Sequence, residues 1–155
     1  TDVQYREIRE EILIPRARKR TLYLLEKMDR TEAQLRDKLR QGYYPEDIIE
    51  DAIAYVKKFH YVDDLRYACN YVRTGSKTKS RRLLALELAR KGIPRELAQQ
   101  ALQEEYDTED ESVTISRWLD KKHYCPGEAD QKQKQRMYQF LLRKGFRSED
   151  ILKEL

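Results

Sequence analysis

Glycine and proline are scarce in this sequence, with five and four copies in 155 residues. Tight turns between strands draw on these residues, and no alternating apolar–polar run is long enough for a convincing strand. The two cysteines, Cys69 and Cys125, lie far apart and form no ligand pair, so a zinc site has no support. Isolated thiols suit a reducing cytoplasm. His60 and His123 are also isolated, and His123 lacks the further ligands that would make its nearness to Cys125 a metal site. No apolar stretch approaches the roughly 20 residues of a membrane span, and no secretory signal opens the chain. There is no nucleophile–base motif, no phosphate-cradling glycine loop and no HExxH. Neither catalysis nor a cofactor is expected. The first residue is Thr1, so the sequence is expected to begin within a longer protein.

Charge and helix-forming side chains are abundant instead. Charged residues make up 39% of the chain, against roughly 25% in an average globular protein. So much charge needs a large surface, which an elongated helical array supplies better than a compact sphere. Leu, Ala, Glu, Lys, Arg and Gln dominate, and these are good helix formers. Lys and Arg total 32 against 28 Asp and Glu, a net charge of +4. The distribution of charge therefore matters more than its sum.

An internal repeat organises the chain. "LRDKLRQGYYPEDIIEDAI" (35–53) aligns with "LLALELARKGIPRELAQQAL" (83–102) at a constant offset of 49. Leu35 and Leu39 match Leu84 and Leu88, and Tyr44-Pro45 matches Ile93-Pro94. A third copy is "MYQFLLRKGFRSEDILKEL" (137–155), in which Lys144-Gly145-Phe146 answers Lys91-Gly92-Ile93. Apolar residues at i and i+4 share one helix face. Gly92 and Gly145 suit the left-handed residue that ends a helix. Pro45 and Pro94 suit the first helical position, and Ser148 is the expected cap of the third copy. Glu46, Asp47, Glu96, Glu149 and Asp150 fall in first turns, near the positive helix end.

A further helix precedes each pair. Its stripe is Ala17, Thr21, Leu24, Leu25 and Met28 in the first copy, Ala68, Tyr71 and Val72 in the second, and Ile115, Trp118 and Leu119 in the third. Thr31 with Gln34 forms a capping box, and Asp63 or Asp64 caps the helix that follows. The predicted fold is all-α, with nine helices in three triplets at about 17–59, 63–105 and 111–155. The corresponding division is an extension at 1–16 and repeats at 17–62, 63–108 and 109–155. The extension is a leading helix interrupted near Pro15. Joints are expected at His60–Asp64 and Tyr106–Glu111, with a loop at Tyr124–Asp130.

Four segments, "RTEAQLRDKL" (30–39), "YVDDLRYACNYV" (61–72), "LALELARKGIPRELAQQAL" (84–102) and "FLLRKGFRSEDI" (140–151), resemble successive signatures of the RecX family. They occur in the right order, and together they cover nearly all of 17–155. Residues 1–16 resemble the end of the N-terminal extension of longer members. Lys79-Ser80 departs from the pattern, because many members carry a glycine there. The resemblance implies tandem three-helix repeats in a curved, elongated molecule. It implies binding in the groove of the RecA filament on single-stranded DNA. It also implies inhibition of RecA's ATPase, strand-exchange and co-protease activities.

Candidate contact residues are the basic clusters Lys77/Lys79/Arg81/Arg82, Arg90/Lys91, Lys121/Lys122 and Arg143/Lys144. They suit contacts to phosphates or to acidic protein surface, and equally an ordinary solvated helix face. Lys77 to Arg82 is the strongest candidate, because cations at a helix start oppose the dipole. Asp63-Asp64 has no third ligand and is assigned to capping. Tyr23, Tyr55, Tyr71 and Tyr138 are assigned to packing at helix junctions, Tyr61 and Tyr67 to local packing, and Trp118 to the core. Three functions compete: a monomeric modulator of a protein–DNA filament that also touches single-stranded DNA, a stand-alone DNA-binding module, and a helical protein-binding scaffold. A membrane partner is not expected.

Overall fold

The computed structural model describes residues 1–106 and 110–155. Among these there is no strand. A leading helix α1 (Asp2–Ile8) passes through a π-helical turn (Arg9–Leu13) into α2 (Ile14–Lys27). Then follow α3 (Glu32–Gln41), α4 (Glu46–Lys58), α5 (Asp64–Gly75), α6 (Arg81–Arg90), α7 (Arg95–Glu105), α8 (Glu111–Lys121), α9 (Gln131–Arg143) and α10 (Ser148–Glu154). Helices α2–α4, α5–α7 and α8–α10 form three triplets. In each, the first helix packs along the third.

Every triplet closes its own small core. Leu35, Leu39, Ile48 and Ile53 centre the first, Ala68, Leu84 and Leu88 the second, and Ile115, Leu141 and Phe146 the third. The leucines that define the repeat are the residues buried. The accessible surface is 10464 Å², against about 8,300 Å² for a compact monomer of this mass. The excess is that of an elongated array.

Several local expectations need correction. Pro15 does not interrupt the leading helix, because the π turn before it absorbs the missing amide hydrogen. Met28 leaves the apolar stripe: α2 ends at Lys27, and Met28 is extended and exposed. Pro45 and Pro94 are N-caps, one position earlier than expected. Ser148 opens α10 without capping it, and its hydroxyl instead meets that of Tyr138. Asp63 caps α5, and the Thr31–Gln34 box is formed. The joint expected at Tyr106–Glu111 includes residues 107–109, which lie outside the described residues.

The triplets meet through their middle helices. The Thr31 hydroxyl at the start of α3 donates to the Lys91 carbonyl at the end of α6, at 2.7 Å. The Ser80 amide at the start of α6 donates to the Lys144 carbonyl at the end of α9, at 3.0 Å. So α9 abuts α6 and α6 abuts α3, carbonyl end to amide end. This order gives partners to carbonyls that a helix terminus leaves open, and it sets the negative end of one helix against the positive end of the next. A carboxylate from the next triplet completes each joint. Asp64 accepts from the Glu32 amide at 2.9 Å, and Glu111 accepts from the Arg81 amide at 3.1 Å. Gly92 and Gly145 both have positive φ. An added Cβ would lie 2.2 Å from Ala33 Cβ at Gly92, and 2.2 Å from Ser80 Oγ at Gly145.

Candidate functional site

Lysines stand over aromatic rings along one side of the second and third triplets. In the second, Lys91 Nζ is 5.2 Å from the Tyr71 ring centroid and Lys79 Nζ is 5.5 Å from it. In the third, Lys144 and Lys121 lie 5.0 and 5.2 Å from Trp118, and Lys122 lies 4.8 Å from Phe140. Trp118 and Phe140 meet edge to face at 4.9 Å. The arrangement repeats because Lys91 and Lys144 both follow the last turn of a middle helix, while Tyr71 and Trp118 share one stripe position of a first helix. Rings hold the ammonium groups by cation–π attraction, about 0.5–1 kcal/mol each at exposed sites. The charges are thereby placed and not merely tethered.

The two sets are continuous. Trp118 Nε1 donates to the Thr78 carbonyl across the joint at 2.9 Å, next to Lys79. Arg30, at the place in the first triplet that Lys79 holds in the second, donates from Nε to the Leu24 carbonyl at 3.2 Å. The ring-held lysines of the second and third triplets together make a cationic ridge that crosses this joint.

Lys79 is the anchored member. Its Nζ donates to Glu87 at 2.9 Å, and the Tyr71 hydroxyl donates to the same carboxylate. Burial opposes the charge on both partners. For Lys79, the Glu87 carboxylate and the Tyr71 hydroxyl outweigh it and hold the ammonium above its ordinary range. For Glu87, the two hydrogen bonds and the nearby Lys79 and Lys91 charges outweigh it and hold the carboxyl below its ordinary range. A depressed carboxylate stabilises the fold above its unfolded pKa and loses that contribution as pH falls through the folded value. Acidification from about pH 5 to about pH 3 is therefore expected to lower the melting temperature of the parent more than that of Glu87→Gln. Equal acid sensitivity in parallel thermal melts would contradict this account of the pair.

Comparison with known proteins places the chain. Sequence models of RecX match it three times, as the first three-helix domain at 17–55, the second at 63–102 and the third at 109–155. The regulatory protein RecX of Clostridium perfringens (strain 13 / Type A) is 32% identical over 144 residues, covering 91% of this chain and 68% of that protein. The chain belongs to the RecX family. A RecX of Caldanaerobacter subterraneus subsp. tengcongensis is 30% identical over 156 residues, covering 100% of this chain and 77% of that protein. The crystal structure of RecX from Lactobacillus salivarius superposes with a TM-score of 0.68 at 26% identity, covering 92% of this chain and 94% of that one. A second RecX crystal structure gives 0.74 over 99% of this chain and 77% of that one; at 24% identity it supports the fold alone.

Within these RecX domains the ten candidate cations divide. Lys79, Lys91, Lys121, Lys122 and Lys144 come together on the ridge. Arg143 lies beside Lys122 around Phe140. Arg82 turns to the joint and donates to the Gly145 carbonyl at 3.4 Å. Lys77, Arg81 and Arg90 are exposed and no ring contact brings them to the ridge. The Lys77–Arg82 cluster is thus not one surface. The turn after Gly75 folds Lys79 back onto α5 and α6, so local structure does select it. The rings Tyr71, Trp118 and Phe140 and the joint carboxylates Asp64 and Glu111 build the site without belonging to any basic cluster. The recurrence of Tyr71 and Trp118, and of Asp64 and Glu111, at a common spacing of 47 is the signal that finds them. Among the described residues no group of three His, Cys, Asp or Glu side chains is placed to hold a metal ion, and no helix is long and apolar enough to cross a membrane.

Proposed function

We propose that this chain is a negative modulator of RecA. It binds as a monomer in the groove of the RecA filament on single-stranded DNA, and inhibits ATP hydrolysis, strand exchange and co-protease activity. The observation that carries this reading is the ridge of ring-held cations crossing the joint between repeats. An extended row of fixed charges suits an extended, anionic, periodic partner better than it suits a small ligand. The name of the relatives, regulatory protein RecX, supports a regulatory role. Regulation proceeds by binding alone, without a cofactor.

Titration of the purified chain into RecA hydrolysing ATP on single-stranded DNA is expected to inhibit below an equimolar ratio. Undiminished hydrolysis at equimolar protein would overturn the proposal. Co-sedimentation separates the alternatives. Retention by filaments but not by the naked strand supports a filament modulator, whereas equal retention by both indicates a stand-alone DNA-binding module. The chain by itself is expected to cleave neither ATP nor DNA. Hydrolysis by rigorously purified protein, lost on substitution of Asp63 or Asp64, would show the contrary.

A further inference from the structure

Each joint needs a residue without a side chain just past the end of a middle helix. Gly92 and Gly145 supply it, with φ of 84° and 91°. The amides of Gly92 and Ile93 return to the Ala89 and Leu88 carbonyls, and those of Gly145 and Phe146 to the Leu142 and Leu141 carbonyls. The first repeat closes α3 in the same way. Tyr43 donates to the Arg40 carbonyl and Tyr44 to the Leu39 carbonyl. Tyr43 therefore occupies the place of Gly92 and Gly145, one residue after a glycine, Gly42, that the turn does not place in the left-handed region.

Tyr43 takes the left-handed conformation, with φ of 63°, and the residue is 93% exposed. A tyrosine is disfavoured in that region, and no burial compensates. At the matching place of the two joints even a single Cβ would come within 2.2 Å of the neighbouring repeat. No carboxylate stands in residues 13–17, around the place in α2 that matches Asp64 and Glu111. The opposite end of the column also differs from a joint: α9 has 13 residues where α3 and α6 have 10 each. Terminal units of repeat proteins carry such departures, because an unaltered end invites a further unit.

We infer that Tyr43 is an end stop: it closes the α3 end of the column against docking of another three-helix unit. Its side chain excludes what glycine there would admit.

The stop is tested by lengthening the array. A chain made of residues 1–62 followed directly by residues 14–155 contains the natural array with an additional first repeat ahead of it. With Tyr43 kept in the second copy, the added unit is expected to melt separately from the rest. With Tyr43→Gly in that copy, the two are expected to melt in a single transition, with added protection of the α3 amides from hydrogen exchange. A single transition with tyrosine in place would overturn the inference, and so would two transitions with glycine. In the natural chain, Tyr43→Gly is expected to leave the melting temperature unchanged or raised. A fall would show that Tyr43 is held by packing and is not a stop.

Discussion

Gly145→Ala is expected to lower the melting temperature by roughly 5–15 °C. The substitution has two costs. The left-handed backbone disfavours alanine by about 1 kcal/mol. The new methyl would also lie 2.2 Å from Ser80 Oγ and 2.5 Å from Leu83 Cβ, so the joint must shift. Overpacking of this kind costs about 1–3 kcal/mol. The sum, about 2–4 kcal/mol, converts at roughly 2–4 °C per kcal/mol for a chain of this size. Gly127 is the control: nothing lies within 4 Å of a Cβ placed there, and Gly127→Ala is expected to change stability by no more than about 0.5 kcal/mol. Thermal melts of the two variants beside the parent decide the matter. If Gly145→Ala melts with the parent, close approach of backbones at the joint is not what requires glycine.

The second large effect concerns binding. Replacing Lys91, Lys121, Lys122 and Lys144 together by Gln is expected to weaken binding to RecA–DNA filaments at least about tenfold, or 1.4 kcal/mol. Lys79 is left intact because its bond to Glu87 belongs to the fold. Each lost ring contact costs about 0.5–1 kcal/mol of stability, so binding must be measured well below the melting transition, with helical content verified. If the ridge touches phosphate, each lysine removed also flattens the log–log salt dependence by roughly 0.7. The companion variant Lys77→Gln with Arg81→Gln removes the same kind of charge away from the rings. It is expected to change affinity much less. Equal losses from the two variants would mean that the partner senses total charge and not the ridge.

The contrast between these variants marks what was legible in the sequence. The repeat, the capping box at Thr31 and the glycines after α6 and α9 are written locally: a few neighbouring residues suffice to specify a helix end. Density of cations along the chain is a poor guide to their adjacency in space. Lys79 was grouped with Lys77 and Arg82, its neighbours in sequence, yet its partners are Tyr71 and Glu87, eight residues away on either side. Asp64 reads locally as a cap of its own helix, yet it serves the start of α3. Trp118 packs against the third core as expected, and its indole N–H also reaches the Thr78 carbonyl of the preceding repeat. The Lys79 partners are set by the turn that folds it back within its own repeat, whereas those of Asp64 and Trp118 depend on how one repeat is set against the next.

The column of middle helices runs against the direction of synthesis. The amide end of α3 is completed by Lys91 and Asp64, and that of α6 by Lys144 and Glu111. The opening turns of α3 and α6 thus draw on residues made later. The starts of α3 and α6 add these partners to their own caps at Thr31 and Ser80, whereas the start of α9 has the Asp130–Gln133 box. Loss of structure has the opposite polarity. Fraying of the third repeat opens the start of α6, whereas fraying ahead of α2 opens neither joint.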